Sequence, residues 1–581
     1  MGSALSGLCS EVETNPVNLA PVHECQFPLH VMKVSDFLEM EGVPEAHAVL
    51  KQRSLLHEWH AGMFVIFVSH QWLSSSHPDP QGRQVAVLRD ALRGMISGSV
   101  DVAVDFISRT HDKRSMSQRT RQEIAKGYVF FDWFAIPQIT ARTEGINEET
   151  TRSDAALAVG SIPAYVEVSN LFIALVPEQL HKDTGLLCNY ASWLCRGWCR
   201  AELWCHLLSN KPDTSVVVVY SPAEAEYMFA MDWQQNLISE GDFTVESDRS
   251  AVVKLGDMAV MSKIQHLSDH GPLSHFRFYL ALRPRLLGRE RRDRTLEEFL
   301  LHFRFQSLQE AAEDESSMNG TMSAVMSGDV KMLQLLAANR ADVNFKLHGL
   351  GELGYFDTQT VLMAAAKSRQ EPEMLSALIQ LKADVETRSR SNIVCAYLVR
   401  SPGHVKVLAD AKADLEASWP LNGPAALAST ETVEAMVKFR CDPNFDYETF
   451  GVRYGPLHSM TLFGRSNKHA VTTARLLLAH RADVNAQAKP QGAFEQKCRD
   501  SQREVAAKGF EACPMQTRFE ASAPGITPLS LAALMGHEGL VKVYLEFGAE
   551  MIPNGRGDLP EDLAKRNGFT HLLPLLATFA T

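Results

Sequence analysis

The chain has no apolar run near the ~18–20 residues needed to span a bilayer; its longest, "MFVIFV" and "LFIALV", have the length of strands. It opens without a secretory leader, so the expected compartment is reducing and the expected location cytoplasmic. Ten cysteines, scattered from Cys9 and Cys25 to Cys513, lack the spacing of a disulfide framework. A basic excess is missing too. Against 57 Lys and Arg stand 69 Asp and Glu, a net charge of −12, which argues against a general nucleic-acid binder. Disorder is not indicated either, because 45% hydrophobic and 22% charged residues are globular proportions.

What is present is length and local pattern. A chain of 581 residues exceeds one core and suggests roughly three or four domains. Its start, "MGSALSGLC", fits an N-myristoylation pattern with Gly2 as acceptor and Ser6 in the required place. One such chain holds a membrane only marginally; Cys9, if palmitoylated, would supply the second anchor and tether the protein to a membrane. The basic stretch "RPRLLGRERRDR" (Arg283 to Arg294) reads either as a solvated helical face or as a contact for an anionic partner.

The C-terminal half repeats a short signature: "RADVN", "KADVE", "KADLE", "RCDPN", "RADVN" and "GAEMI". An amphipathic segment such as "VKMLQLLAAN" or "TTARLLLAH" precedes each one. The best-formed unit, "GITPLSLAALMGHEGLVKVYLEFGAE", resembles the ankyrin repeat. Thr527 can cap its first helix with Pro528 at the first helical position. Gly536 ends that helix, and Leu540, Val541 and Leu545 form the buried stripe of the second. Such units cannot bury their apolar faces singly and must stack into a solenoid; about six or seven fit between 318 and 581. His458, in "GPLHSM", is read as a structural hydrogen-bonder.

Two departures stand out. Where the repeat usually places a left-handed glycine, this chain has Arg340, Lys382, Lys412, Arg440 and Arg481, and only Gly548 conforms. Those cations are either tolerated at helix C-termini or form a ladder that docks an acidic protein partner. The second departure is a polar insertion at about 487–524, whose role the residues leave open.

In the N-terminal half, continuous apolar strands alternate with helices: "MFVIFVSHQW", "GYVFFDWFAIP", "LFIALVP" and "SVVVVY". That pattern specifies a parallel sheet covered on both faces. The expected organisation is an N-terminal segment 1–60, an α/β domain 61–222, a helical connector 223–317 and the all-α solenoid 318–581. The words "VIFVSHQW", "YVFFDWFAIPQ", "SIPAYVEVSNLFIALVPE", "RGWCRAELWCHLL" and "VVVVY", in that order, resemble a Toll/interleukin-receptor (TIR) domain of flavodoxin-like fold. The loop "LSSSHPDPQG", the span 138–160 and the segment 178–196 depart from it.

The stretch "SWLCRGWCRAELWCHL" then acquires a context. Cys195, Cys199, Cys205 and His206 make one loose pair and no second, short of a tetrahedral set, so the cysteines are read as core and no metal is expected. A helix from Gly197 puts Trp198, Ala201, Cys205 and Leu208 on one face. The resemblance implies that Glu202 occupies the place of the catalytic glutamate of enzymatic TIR domains, which cleave the nicotinamide–ribose bond of NAD. NAD would be substrate, not cofactor. Ser69, His70, Trp72, Asp132 and Trp133, at or just beyond the ends of the first two strands, would line its site, where open parallel sheets bind ligands. Otherwise Glu202 is a surface residue paired with Arg200 or His206.

Two functions follow: an NAD glycohydrolase active on self-association, or a non-catalytic scaffold. In both, the solenoid recruits a protein partner.

Overall fold

The computed structural model describes residues 24–105, 108, 113–138, 148–289, 293–416, 421–445, 447–449 and 451–578. Gly2 and Cys9 lie outside the described residues.

The N-terminal half contains strands β1 (His30–Lys33), β2 (Leu56–Glu58), β3 (Val65–His70), β4 (Ala103–Val104), β5 (Tyr128–Phe130) and β6 (Leu171–Leu175). A two-stranded hairpin of β7 (Gln179–Leu180) and β8 (Leu187–Cys188) follows, then β9 (Val216–Ser221) and β10 (Glu224–Tyr227). The main sheet has eight strands in the order β2-β1-β5-β3-β6-β9-β10-β4. β5, β3, β6 and β9 are mutually parallel, and every residue of β3, β6 and β9 is buried. Apolar side chains on both faces of these strands require cover from both sides. The chain leaves β3 in one direction to reach β5, then crosses β3 to make β6, so the order reverses between β3 and β6.

The sheet is wider than the 61–222 segment and not wholly parallel. β1 and β2 come from the segment before 61 and pair antiparallel with β5 and each other; β10 returns antiparallel on β9. Val31 and Met32 are fully buried, yet "HVMK" and "LHE" are too short to show a period. These additions cover the parallel core's edges, which would otherwise expose unpaired backbone.

Residues 230–313 are mainly helical, in helices Ala230–Gln234, Asp248–His270, Leu273–Leu286, Leu296–Phe303 and Leu308–Glu313. They form a packed layer, not a loose tether. Trp204 meets Trp233 edge-on at 5.7 Å, and Trp198 Nε1 donates to Asp248 at 2.9 Å. The basic stretch is partly neutralised, since Arg283 and Arg289 both reach Asp257, at 3.0 and 2.6 Å.

From Gly320 onward the chain stacks helix pairs, among them Gly320–Ser327 with Val330–Ala338 and Pro528–Leu534 with Glu538–Glu546. In the third unit a 3-10 turn, Cys395–Leu398, replaces the first helix. The Thr527 side chain accepts from Ser530 N, with Pro528 at the first helical position. Leu540 and Val541 are fully buried. His458 Nε2 sits 3.0 Å from Ile526 O, and burial lowers the imidazole to about 4.

Arg340, Lys382, Lys412, Arg440 and Arg481 all adopt left-handed backbone, with φ between 60° and 74°, and all are exposed. The turns that carry them are bridged from unit to unit. Asn344 Nδ2 donates to Lys382 O and its Oδ1 accepts from Asp384 N. Asn444 does the same for Arg481 O and Asp483 N. Glu386 accepts from Asp414 N, and Asn485 from Glu550 N.

The insertion is folded. Helices Gly492–Lys508 and Met515–Ser522 pair, and Val505, Phe510, Cys513 and Ala521 share a second core with Tyr454, Ile526 and Leu531.

The two halves meet along a polar seam. Arg465 reaches both Glu224 oxygens, at 2.6 and 3.0 Å, donates to Met535 O, and lies 4.1 Å over the Tyr220 ring. Glu178, just beyond β6, is largely buried against the solenoid, with Oε2 3.9 Å from His537 Nδ1.

Candidate functional site

The candidate residues lie at and beyond the carboxyl end of β3, beside the reversal of strand order, the end at which open sheets bind ligands. Ser69 and His70 are the last residues of β3. Ser69 is 1% exposed; its hydroxyl donates to Glu202 Oε2 at 2.5 Å and accepts from Trp193 Nε1 at 3.1 Å. The Glu202 carboxylate therefore reaches back to the tip of the first parallel strand.

The helix that carries Glu202, Gly197–Leu207, is held on nearly all sides. Ala201, Cys205 and Leu208 are buried as a stripe predicts, but so are Cys199, Arg200, Leu203 and His206. The single apolar face expected for a surface helix is absent because the Asp248–His270 helix packs over its other side. Neither predicted surface partner of Glu202 is free. Arg200 donates to the Leu194 and Leu237 carbonyls, and His206 Nε2 lies 3.1 Å from Ser215 O. Burial pushes the Cys199 and Cys205 thiols up, as core cysteines behave.

A second group forms next to the first. His70 Nε2 is 2.9 Å from Asp132 Oδ1, Trp72 Nε1 donates to Asp132 Oδ2 at 2.8 Å, and His70 stacks on Phe131 at 4.0 Å. Burial alone would lower the histidine, but the charge and hydrogen bond of Asp132 outweigh it and hold His70 above its usual value. In turn, burial would raise Asp132; His70 and the Trp72 donor keep it below the carboxylate range. Burial pushes Glu202 up to about 7, against the Ser69 hydrogen bond, with the Asp132 charge adding to the rise.

Trp133 takes a different part. It is 4% exposed, its indole N–H donates to Pro44 O at 2.9 Å, and it packs on Trp72 and His77. It therefore forms a wall behind the site and offers no open ring face. Trp72 is half-buried and keeps a position at this end of the sheet.

Several supports were not readable from local sequence. Trp193 fixes the Ser69 hydroxyl, and Ser192 donates to Gln71 Oε1 at 2.7 Å. Two of the atypical loops hold each other across the sheet end: Lys182 N donates to Leu73 O at 2.7 Å, and Asp183 accepts from Ser75 N and Oγ. The local signal for these supports is the capping-box pattern N-x-x-S at Asn189–Ser192.

No group of three or more His, Cys, Asp and Glu side chains able to hold a metal ion occurs among the described residues, and no helix among them is long and apolar enough to cross a membrane.

No family profile and no curated protein matches the chain. Among solved structures it is similar to the human ASB11 ankyrin repeat domain, at 17% identity over 44% of this chain and 96% of that one, with a TM-score of 0.31. It is also similar to the ankyrin repeat domain of Bcl-3, a member of the IkappaB family, at 20% identity over 44% and 96%, with a TM-score of 0.29.

Proposed function

We propose that this is an interaction protein whose ankyrin-type solenoid holds a protein partner and whose α/β domain cleaves the nicotinamide–ribose bond of NAD, with Glu202 as the catalytic carboxylate. The observation that carries the reading is the Ser69–Glu202 hydrogen bond of 2.5 Å at the carboxyl end of β3.

The chemistry suits a lone carboxylate. Ordinary glycoside hydrolysis uses a second carboxyl group to protonate a poor leaving group. Nicotinamide in NAD already carries positive charge and departs neutral, so no proton donor is required. What the site must supply is fixed negative charge beside an oxocarbenium-like transition state, in a crevice of low dielectric. Ionised Glu202 does this; Ser69 orients it. On this reading Asp132, 29% exposed in its side chain and held by His70 and Trp72, would accept from a ribose hydroxyl. Self-association of the α/β domain would complete the walls of the crevice.

The test uses the purified full chain with NAD, free in solution and clustered on a multivalent support, beside Glu202→Gln. Nicotinamide release by the parent and a loss of roughly a hundredfold or more in the variant is the expected result. Release by both proteins, or by neither, sinks the catalytic reading.

A non-catalytic scaffold is the second reading. It is favoured by how far the crevice groups already satisfy one another, with Ser69 closed on Glu202 and Trp72 closed on Asp132. Membrane tethering through Gly2 and Cys9 belongs to either reading, and the mass of the mature N-terminal peptide tests it.

A further inference from the structure

Between the α/β domain and the solenoid lies a cavity of about 360 Å³, within the range of small-molecule sites. On the solenoid side it is built from the starts of consecutive outer helices. Pro372–Gln380, Pro402–Asp410, Thr430–Lys438 and Ala470–Ala479 all open onto it through their N-cap residues Glu371, Ser401, Ser429 and His469. Helix N-termini present unpaired N–H groups and partial positive charge.

Arg200 lines the cavity but is spent on the Leu194 and Leu237 carbonyls, and three further cations line the same space. Arg369, Arg400 and Lys468 come from three different repeats, and none takes part in an ion pair among the described residues. Arg400 is 5% exposed. It donates to Val399 O at 3.0 Å, yet its Nε, like that of Arg369, is buried with no hydrogen-bond partner. Those Nε atoms are sealed from the cavity, so an anion there would meet the terminal guanidinium nitrogens; Arg369 Nη1 also donates to Gln235 O at 3.1 Å. Burial, together with the neighbouring Arg369 charge, pushes Arg400 down to about 9. The acidic groups lie differently. Glu240 and Glu371 line the cavity but are exposed at its rim, and Asp232 is engaged by the Tyr190 hydroxyl at 2.9 Å.

A buried Arg400, a half-buried Arg369, an exposed Lys468, converging helix N-termini and carboxylates at the rim describe a ligand with one anionic end and one hydroxyl-rich end. We propose that this cavity binds a monophosphorylated sugar or polyol, with its phosphate on Arg400, Arg369 and Lys468 and its hydroxyls on Glu240 and Glu371. Planar guanidinium groups suit phosphate oxygens, and carboxylates accept from hydroxyls. The site is separate from Glu202 and independent of NAD cleavage. Because it is walled by both halves, its ligand fastens them together and stabilises the folded chain by mass action.

The test is calorimetric titration and thermal unfolding of the full chain at fixed ionic strength with glucose 6-phosphate, ribose 5-phosphate, glucose and inorganic phosphate. Saturable one-site binding of a sugar phosphate, tighter than inorganic phosphate, with a raised melting temperature, is expected. Lys468→Gln changes an exposed side chain and leaves the fold intact; with Arg369→Gln it should weaken binding by roughly tenfold or more. No saturable binding of either sugar phosphate, equal binding of inorganic phosphate, or unchanged affinity in both variants overturns the proposal.

Discussion

Ser69 Oγ and Glu202 Oε2 lie 2.5 Å apart, across 133 residues of sequence. The serine donates, so it favours the ionised carboxylate, while burial disfavours it; the balance stands at about 7. Ser69→Ala removes only the favourable part. NAD cleavage, under the proposed function, should then rise at higher pH than in the parent and fall roughly tenfold or more near neutrality. The pH profile of nicotinamide release reads the shift, and a carboxyl titration by NMR reads it without relying on activity.

The seam between the halves carries carboxyl groups raised by burial: Glu178 to about 8 and Glu226 and Asp232 to about 7. Folded chains therefore hold protons that unfolded chains release. The stability these groups give is fully present below their ordinary values of 4.5 and 3.8 and is lost as pH rises through about 7 to 8. Buried histidines such as His537, lowered to about 4, and the buried Lys211 and Lys367, lowered to about 7, titrate with the opposite sign, so the carboxyl contribution is read by difference. Against a Glu178→Gln variant, the melting temperature of the parent should therefore fall between pH 4.5 and about 8 and run level above that. Glu178→Gln keeps the shape of the side chain without its titration.

Arg465 and Glu224 are 11% and 12% exposed in their side chains. Arg465→Met strands a carboxylate between the domains and should cost about 3–5 kcal/mol in urea unfolding of the full chain. The double variant with Glu224→Gln should recover a large part, since no charge is then left unpaired.

The left-handed cations make the opposite prediction. A side chain in that conformation costs about 1–2 kcal/mol, and glycine adopts it freely at an entropic cost in the unfolded chain. Arg340→Gly and Lys412→Gly should each stabilise by roughly 0.5–1 kcal/mol in chemical denaturation. Replacing all five should also weaken an acidic partner if the ladder docks one; unchanged affinity reduces the ladder to a set of turn positions.

What could be read in the sequence was what is local. "VIFVSH" and "LFIAL" declare themselves as central strands because every residue must be buried. Arg340 and its counterparts declare left-handed backbone because the turn after each helix demands it. "HVMK" and "LHE" do not, since three or four residues carry no period, and their strand pairing is a tertiary fact. Glu202 was found by its neighbours in sequence, whereas Trp193 and Ser192 became visible as supports only once β3 was beside them. Arg369, Arg400 and Lys468 stand in separate repeats, so nothing short of the stacked solenoid brings them to one cavity.

The side-chain bridges from Asn344, Glu386, Asn444 and Asn485 give the solenoid's edge the character of a ruler. The turns of Arg340, Lys382 and Lys412 are latched in one series and those of Arg440 and Arg481 in another, so within each series the charges keep a set pitch. If the ladder docks a partner, that partner's acidic groups should match this interval.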